Sequence, residues 1–174
     1  MANTLTKVNP RWVGNTNVKA CMARKDVIAD GAATWKAGQF LRQDADGLVY
    51  LSTTGAASGV GADAIMYQAL SDLNSATGDE TGAVLQNVSV IDSGDVFEMN
   101  AYASTVSRAN VGQLYGMNVS GGLCTVLTSD ATNKIFEVVN VTSIERPFGQ
   151  DAVDDVYGRL TVKVLNTALQ AATA

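Results

Sequence analysis

The chain has no histidine among its 174 residues. That removes the side chain that most readily exchanges protons near neutral pH and that most often binds metals. Acyl transfer by a Ser-His-Asp or Cys-His arrangement is excluded outright. Cysteine is almost missing too: Cys21 and Cys124 stand far apart. Two such residues do not make a disulfide scaffold; free, buried thiols are expected before a single bridge between them. Charge is also sparse. Asp, Glu, Lys and Arg make up 17% of the chain, against roughly 25% in an ordinary soluble domain. The 12 basic and 17 acidic residues give a net charge of -5. The densest basic spot, Arg24-Lys25, is followed at once by Asp26. A groove that tracks phosphates needs several cations on one face, so no direct nucleic-acid binding is expected. No apolar run approaches the length needed to cross a bilayer. Met1-Ala2-Asn3-Thr4 does not begin a secretory leader. No membrane partner is expected, and the chain reads as made in a cytosol-like compartment.

Hydrophobic residues are plentiful, at 47%, enough for a real core in one compact domain. A surface short of charge and rich in Ala, Thr, Ser, Asn and Gly suits contact with other protein. The apolar residues come in short, glycine-punctuated runs. This pattern predicts a mainly β fold, a small barrel or β-sandwich-like domain, with SH3-like and β-tulip forms both open. Residues 1–20 read as an extended N-terminal arm, broken at Asn9-Pro10 and carrying Trp12 and Val13 as apolar anchors. Trp12 either packs back on its own domain or reaches a neighbour. Residues 21–174 then form the β-rich body.

The first strong pattern is a hairpin. Gly38 breaks the chain before one strand at about 39–43, Asp46-Gly47 gives the tight turn, and a second strand follows at about 48–52. The stretch 53–63 is a Gly, Ala, Ser and Thr loop without a dinucleotide or phosphate-loop signature. In 64–73, Ile65, Ala69 and Leu73 recur every four residues, which fits a short amphipathic helix; a strand through Ile65 and Tyr67 fits nearly as well. Strands follow over 84–91 and 96–99, separated by a turn at Gly94. Another hairpin is expected at Gly121-Gly122. In 134–141 both parities are apolar, which predicts a strand covered on both faces. The last strand is the clearest: Leu160, Val162 and Val164 alternate with Arg159, Thr161 and Lys163.

Chemistry-bearing groups are few. Asp44/Asp46 and Asp151/Asp154/Asp155 are the two acidic clusters. Paired carboxylates can drive glycoside hydrolysis when they flank a cleft, but neither cluster lies in an aromatic stretch able to grip a sugar. Asp44-Ala45-Asp46-Gly47 lacks the remaining ligands of a calcium loop. The 151–155 run reads as an exposed acidic loop before it reads as a weak cation site. No catalytic residue, metal or cofactor is assigned.

Several stretches resemble the decoration, or cement, proteins that stud the heads of tailed bacteriophages. Lys36-Ala37-Gly38-Gln39-Phe40-Leu41 followed by Asp44-Ala45-Asp46-Gly47-Leu48-Val49 is similar to a hairpin of that family. Ile91-Asp92-Ser93-Gly94-Asp95-Val96-Phe97-Glu98-Met99, Asn110-Val111-Gly112-Gln113-Leu114-Tyr115 and the ending Val162-Lys163-Val164-Leu165 also fit it. The resemblance covers about half of the chain, roughly 35–141 and the final strand. It implies a virion protein on the outer capsid surface, made in the bacterial host cytoplasm; the alternative is another non-catalytic phage part, such as a head fibre base or tail tube, or a host-glycan-binding module. The expected partner is the major capsid protein. A homo-oligomer is expected, a trimer before a dimer. Trp12, Val13, Trp35, Phe40 and Tyr67 become candidate interface residues, and Gly38, Asp46, Gly47, Gly94, Gly121 and Gly122 candidate turn residues.

Overall fold

In a computed structural model the chain is mainly β. The structure describes residues 9–16, 21–44, 46–53, 65–74, 84–102, 106–120, 123–129, 134–142 and 158–165. Among these the strands are β1 (Arg11–Asn15), β2 (Arg24–Ala29), β3 (Thr34–Trp35), β4 (Phe40–Gln43), β5 (Val49–Leu51), β6 (Tyr67–Ala69) and β7 (Leu73–Asn74). They continue with β8 (Val84–Val90), β9 (Asp95–Asn100), β10 (Leu114–Ser120), β11 (Leu123–Leu127), β12 (Phe136–Thr142) and β13 (Arg159–Val164). The one helical turn among the described residues is a 3-10 turn over Arg108–Asn110, capped by Ser107.

Two bodies of sheet share one wall. A closed barrel runs β2-β5-β4-β6-β8. A six-stranded sheet runs β1-β9-β13-β12-β10-β11 and curls, because Ala101 just past β9 bridges Val126 of β11 in parallel. Strand β4 explains how both bodies are filled. Successive side chains of a strand point to opposite faces: Phe40 enters the core of the six-stranded sheet and Leu41 the barrel core. Phe40 meets Phe97 edge-on, with ring centroids 5.0 Å apart, and lies 6.1 Å from Phe136. Such edge-to-face pairs add to simple area burial. Trp35 and Leu73, register partners in the small β3–β7 pair, complete the barrel core.

The alternating sequence patterns translate directly. Leu160, Val162 and Val164 are buried while Arg159, Thr161 and Lys163 are only partly so. Phe97 and Met99 share the buried face of β9. The expected hairpin is β4–β5, with Leu41 opposite Leu51. Gly47 turns at φ 83°, Gly38 at 85° and Gly94 at 82°, conformations that favour glycine. Gly121 and Gly122 lie outside the described residues, though Ser120 opposite Leu123 shows β10 and β11 meeting as an antiparallel pair.

Four expectations need correction. Of the two readings of 64–73, the helix gives way to the extended one: β6 starts at Tyr67, and a bend and β7 follow. The spacing of four arises because Ile65 enters the sheet core, Ala69 the barrel, and Leu73 packs beside Trp35. Residues 11–15 are extended, but they form an edge strand on β9 of the chain's own sheet, so the body includes part of the expected arm. In β12 the two apolar parities reflect a bulge. The register jumps between Val138 and Asn140, leaving Val139 exposed and turning Val141 back toward the core. Finally, both cysteines are free, but only Cys124 is buried; Cys21 is exposed.

Candidate functional site

The aromatic candidates divide by burial. Trp35, Phe40 and Tyr67 are each at most 3% exposed. They hold the cores and offer a partner no surface, which corrects their assignment as interface residues. Large aromatic side chains serve packing as readily as they serve an interface. Trp12 is half-buried against the sheet core. Its indole Nε1 donates to Asp95 Oδ1 at 3.0 Å. It therefore packs back on its own domain. Val13, at the bulge between Trp12 and Gly14, is exposed.

The polar candidates of the hairpin are spent on architecture. In the hairpin, Leu48 N donates to Asp46 Oδ1 at 2.9 Å and Tyr50 Oη to Asp46 Oδ2 at 2.9 Å. The Asp46 bond, aided by burial and by Asp30, pushes the Tyr50 phenol up to about 12. Asp44 pairs with Arg42 at 3.4 Å. The Asp44/Asp46 cluster thus builds a turn. Asp151, Asp154 and Asp155 lie outside the described residues. On the barrel, Lys25 Nζ donates to Tyr67 Oη at 3.3 Å, and Tyr67 Oη donates to Gln43 Oε1 at 2.9 Å. Gln43 Nε2 then reaches Gly47 O at 2.7 Å. This chain satisfies a buried phenol, as burial requires.

Two carboxylates of β9 are buried. Asp95 is fully enclosed and accepts from Trp12, from Asn15 Nδ2 at 2.9 Å and from Asp92 N at 2.7 Å. Glu98 receives Arg11 at 2.5 Å and Arg159 at 2.8 Å. Burial works to raise the Glu98 carboxyl, but the bonds from Arg159 and Arg11 outweigh it and hold it below its ordinary value. Burial pushes the Cys124 thiol up to about 12, only partly opposed by the amide of Phe40, so it stays protonated and inert. No group of three or more potential metal ligands occurs among the described residues. No helix there is long and apolar enough to cross a membrane.

What remains is a surface that the sequence pass did not single out. Ile28 and Leu85 are register partners on β2 and β8. They sit side by side on the outer face of the barrel, 45% and 69% exposed. Beside them Asn87 Nδ2 donates to Asp26 Oδ1 at 2.8 Å. Leu70, also exposed, follows β6 where Ser71 Oγ reaches Gln86 Oε1 of β8 at 3.4 Å. The signal was available: Ile28 and Leu85 stand on the opposite parity from the barrel-lining Val27, Ala29 and Val88. Aliphatics on the outward parity mark an apolar spot on that face. Comparison with family models, curated proteins and solved structures returned no match.

Proposed function

We propose that this chain is a non-catalytic structural protein that docks on a larger protein assembly through the outer face of its barrel. The assembly is the expanded head of a tailed bacteriophage, where the chain binds major capsid subunits from outside and stabilises their contacts. One observation carries the reading: the Ile28–Leu85 pair stands exposed on a closed barrel wall, with a hydrogen-bonded Asp26–Asn87 pair alongside. An apolar centre beside satisfied polar groups is the make-up of a protein-binding patch. The low charge of the whole chain supports a flat contact repeated in many copies, since repetition turns modest affinity into strong avidity. The phage head is favoured by the resemblance of 36–49 and 91–99 to decoration proteins. A trimer is the preferred arrangement.

Co-sedimentation with expanded heads of the same genome, followed by particle imaging, tests this reading. Regular extra density is expected at one stoichiometry per lattice site. At limiting protein, Leu85→Ser should lower occupancy about tenfold or more, as loss of a central contact does. Well-folded protein that leaves heads bare overturns the capsid role.

A further inference from the structure

We propose that β1 is a separable clasp on the six-stranded sheet, latched by Glu98 and Asp95 of β9, which opens as one unit while both cores stay folded. Three observations carry this. First, β1 is an edge strand with a single neighbour, and its ladder is interrupted at Val13. Second, it brings little to the core: Trp12 alone packs there, only half-buried, whereas β9 beneath it contributes the fully buried Phe97 and Met99. Segments with few buried apolar contacts open at lower free energy than the core. Third, the side-chain attachment of β1 itself is polar and concentrated, while Asn9 and Pro10 before it are held separately, at Ala37 O and by Gln68 Nε2, and stay in place as the hinge. Arg11 reaches Glu98, while Trp12 and Asn15 both reach Asp95. Two carboxylates thus hold three of the strand's side chains, and Thr16 N adds a bond to Gly94 O at 2.9 Å.

The charges around the latch favour opening from the β1 side. Arg159 of β13 also holds Glu98, so the carboxylate keeps a partner when Arg11 leaves. Lys163 of β13 is paired with Glu137 of β12, and Asp92 lies in the turn before β9. The Arg11 side chain is 70% exposed, so its departure needs no rearrangement of the sheet. An open clasp bares the backbone edge of β9, the kind of edge on which another strand adds.

Amide hydrogen exchange on the full chain at neutral pH decides the matter. In the wild-type chain the hydrogen-bonded amides of β1 and Thr16 should exchange about tenfold or more faster than those of β9 facing β13. Arg11→Gln, which leaves the Glu98–Arg159 pair intact, should speed β1 a further several-fold and leave β12, β13 and the barrel unchanged. Equal exchange of β1 and β13 in the wild-type chain overturns the clasp. So does an Arg11→Gln effect spread evenly over the sheet. An independent optical test uses Trp35→Phe, which leaves Trp12 as the only indole. On acidification its emission should shift before the β-sheet circular dichroism is lost; coincident transitions overturn the proposal.

Discussion

The barrel and the six-stranded sheet solve the same problem with different materials. The sheet core is apolar and aromatic, built on Phe40, Phe97 and Phe136, with Met99 and Met117 filling beside them. The barrel core uses smaller residues, Ala29, Ala33 and Ala69, around Trp35 and Tyr67. Its Tyr67 hydroxyl is met from outside the core by exposed Lys25 and half-buried Gln43. Their surfaces reverse this order. The sheet's outer face is laced with ion pairs, Arg11–Glu98–Arg159 and Lys163–Glu137. The barrel's outer face carries exposed aliphatics at Ile28 and Leu85. The body with the more aromatic core therefore has the more charged outside, and the aliphatic pair on which the proposed docking rests belongs to the barrel.

The comparison breaks most sharply at Phe40, the residue the barrel lends to the sheet. Phe40→Ala should cost about 3–5 kcal/mol, the range for truncating a buried phenylalanine. Leu160→Ala, confined to the sheet, should cost about 2–5 kcal/mol. Denaturant unfolding gives the size, and hydrogen exchange gives the reach. Phe40→Ala should lower protection in β4, β6 and β9 together, whereas Leu160→Ala should spare the barrel. Protection lost only in the sheet after Phe40→Ala would show that the two bodies fold independently.

Next in size is the charge on the sheet's outer face. The folded Glu98 carboxyl is held below its unfolded value. Its contribution is therefore present in full above the ordinary carboxylate range, and is lost as pH falls through the folded value. Glu98→Gln should cost about 2 kcal/mol at neutral pH, the scale of hydrogen bonds to a charged group. The gap between wild type and variant should close as pH falls below about 4. A gap that stays constant with pH would make packing, rather than the ion pairs, the source of the effect.

Legibility in the sequence followed the same division. Where a strand keeps strict alternation and one buried face, as β13 does, the residues alone placed it. The β4–β5 hairpin was equally plain because Gly47 must turn at positive φ. What stayed hidden was anything set by partners far along the chain. Pro10 O accepts from Gln68 Nε2 at 2.7 Å, so the supposed arm is fixed by a side chain from β6 that no local pattern announces. The Val139 bulge hid which face of β12 is buried, though not the strand itself, for a related reason: one inserted residue shifts parity without changing composition. The apolar patch was missed because Ile28 and Leu85 become neighbours only through pairing across the gap between β2 and β8.

Two glycines separate backbone strain from crowding, at a smaller scale. Gly38 and Gly112 both sit at positive φ, 85° and 79°. A Cβ on Gly38 would come 2.8 Å from Asn9 Cβ, while one on Gly112 meets nothing within 4 Å. Gly112→Ala should cost about 1 kcal/mol, the price of the left-handed conformation alone. Gly38→Ala should cost about 2 kcal/mol or more, since Asn9 must also shift and its Nδ2 bond to Ala37 O at 3.0 Å would be disturbed. Equal costs in thermal unfolding would mean that the segment at Asn9 yields freely.

The smallest effect is the most telling for the two surfaces. Leu85 is the most exposed of the large hydrophobic residues described, so Leu85→Ser removes little burial from the isolated chain. Its unfolding free energy should change by less than about 0.5 kcal/mol. Val138→Ser, on the sheet strand β12 but buried, should cost several times more. If Leu85→Ser destabilised the isolated chain as much as Val138→Ser does, Leu85 would be a core residue and the barrel's outer face would lose its claim as a docking surface. A neutral Leu85→Ser that also abolishes docking would separate recognition from folding, placing recognition on β2 and β8 and the larger share of stability on the aromatic core of the sheet.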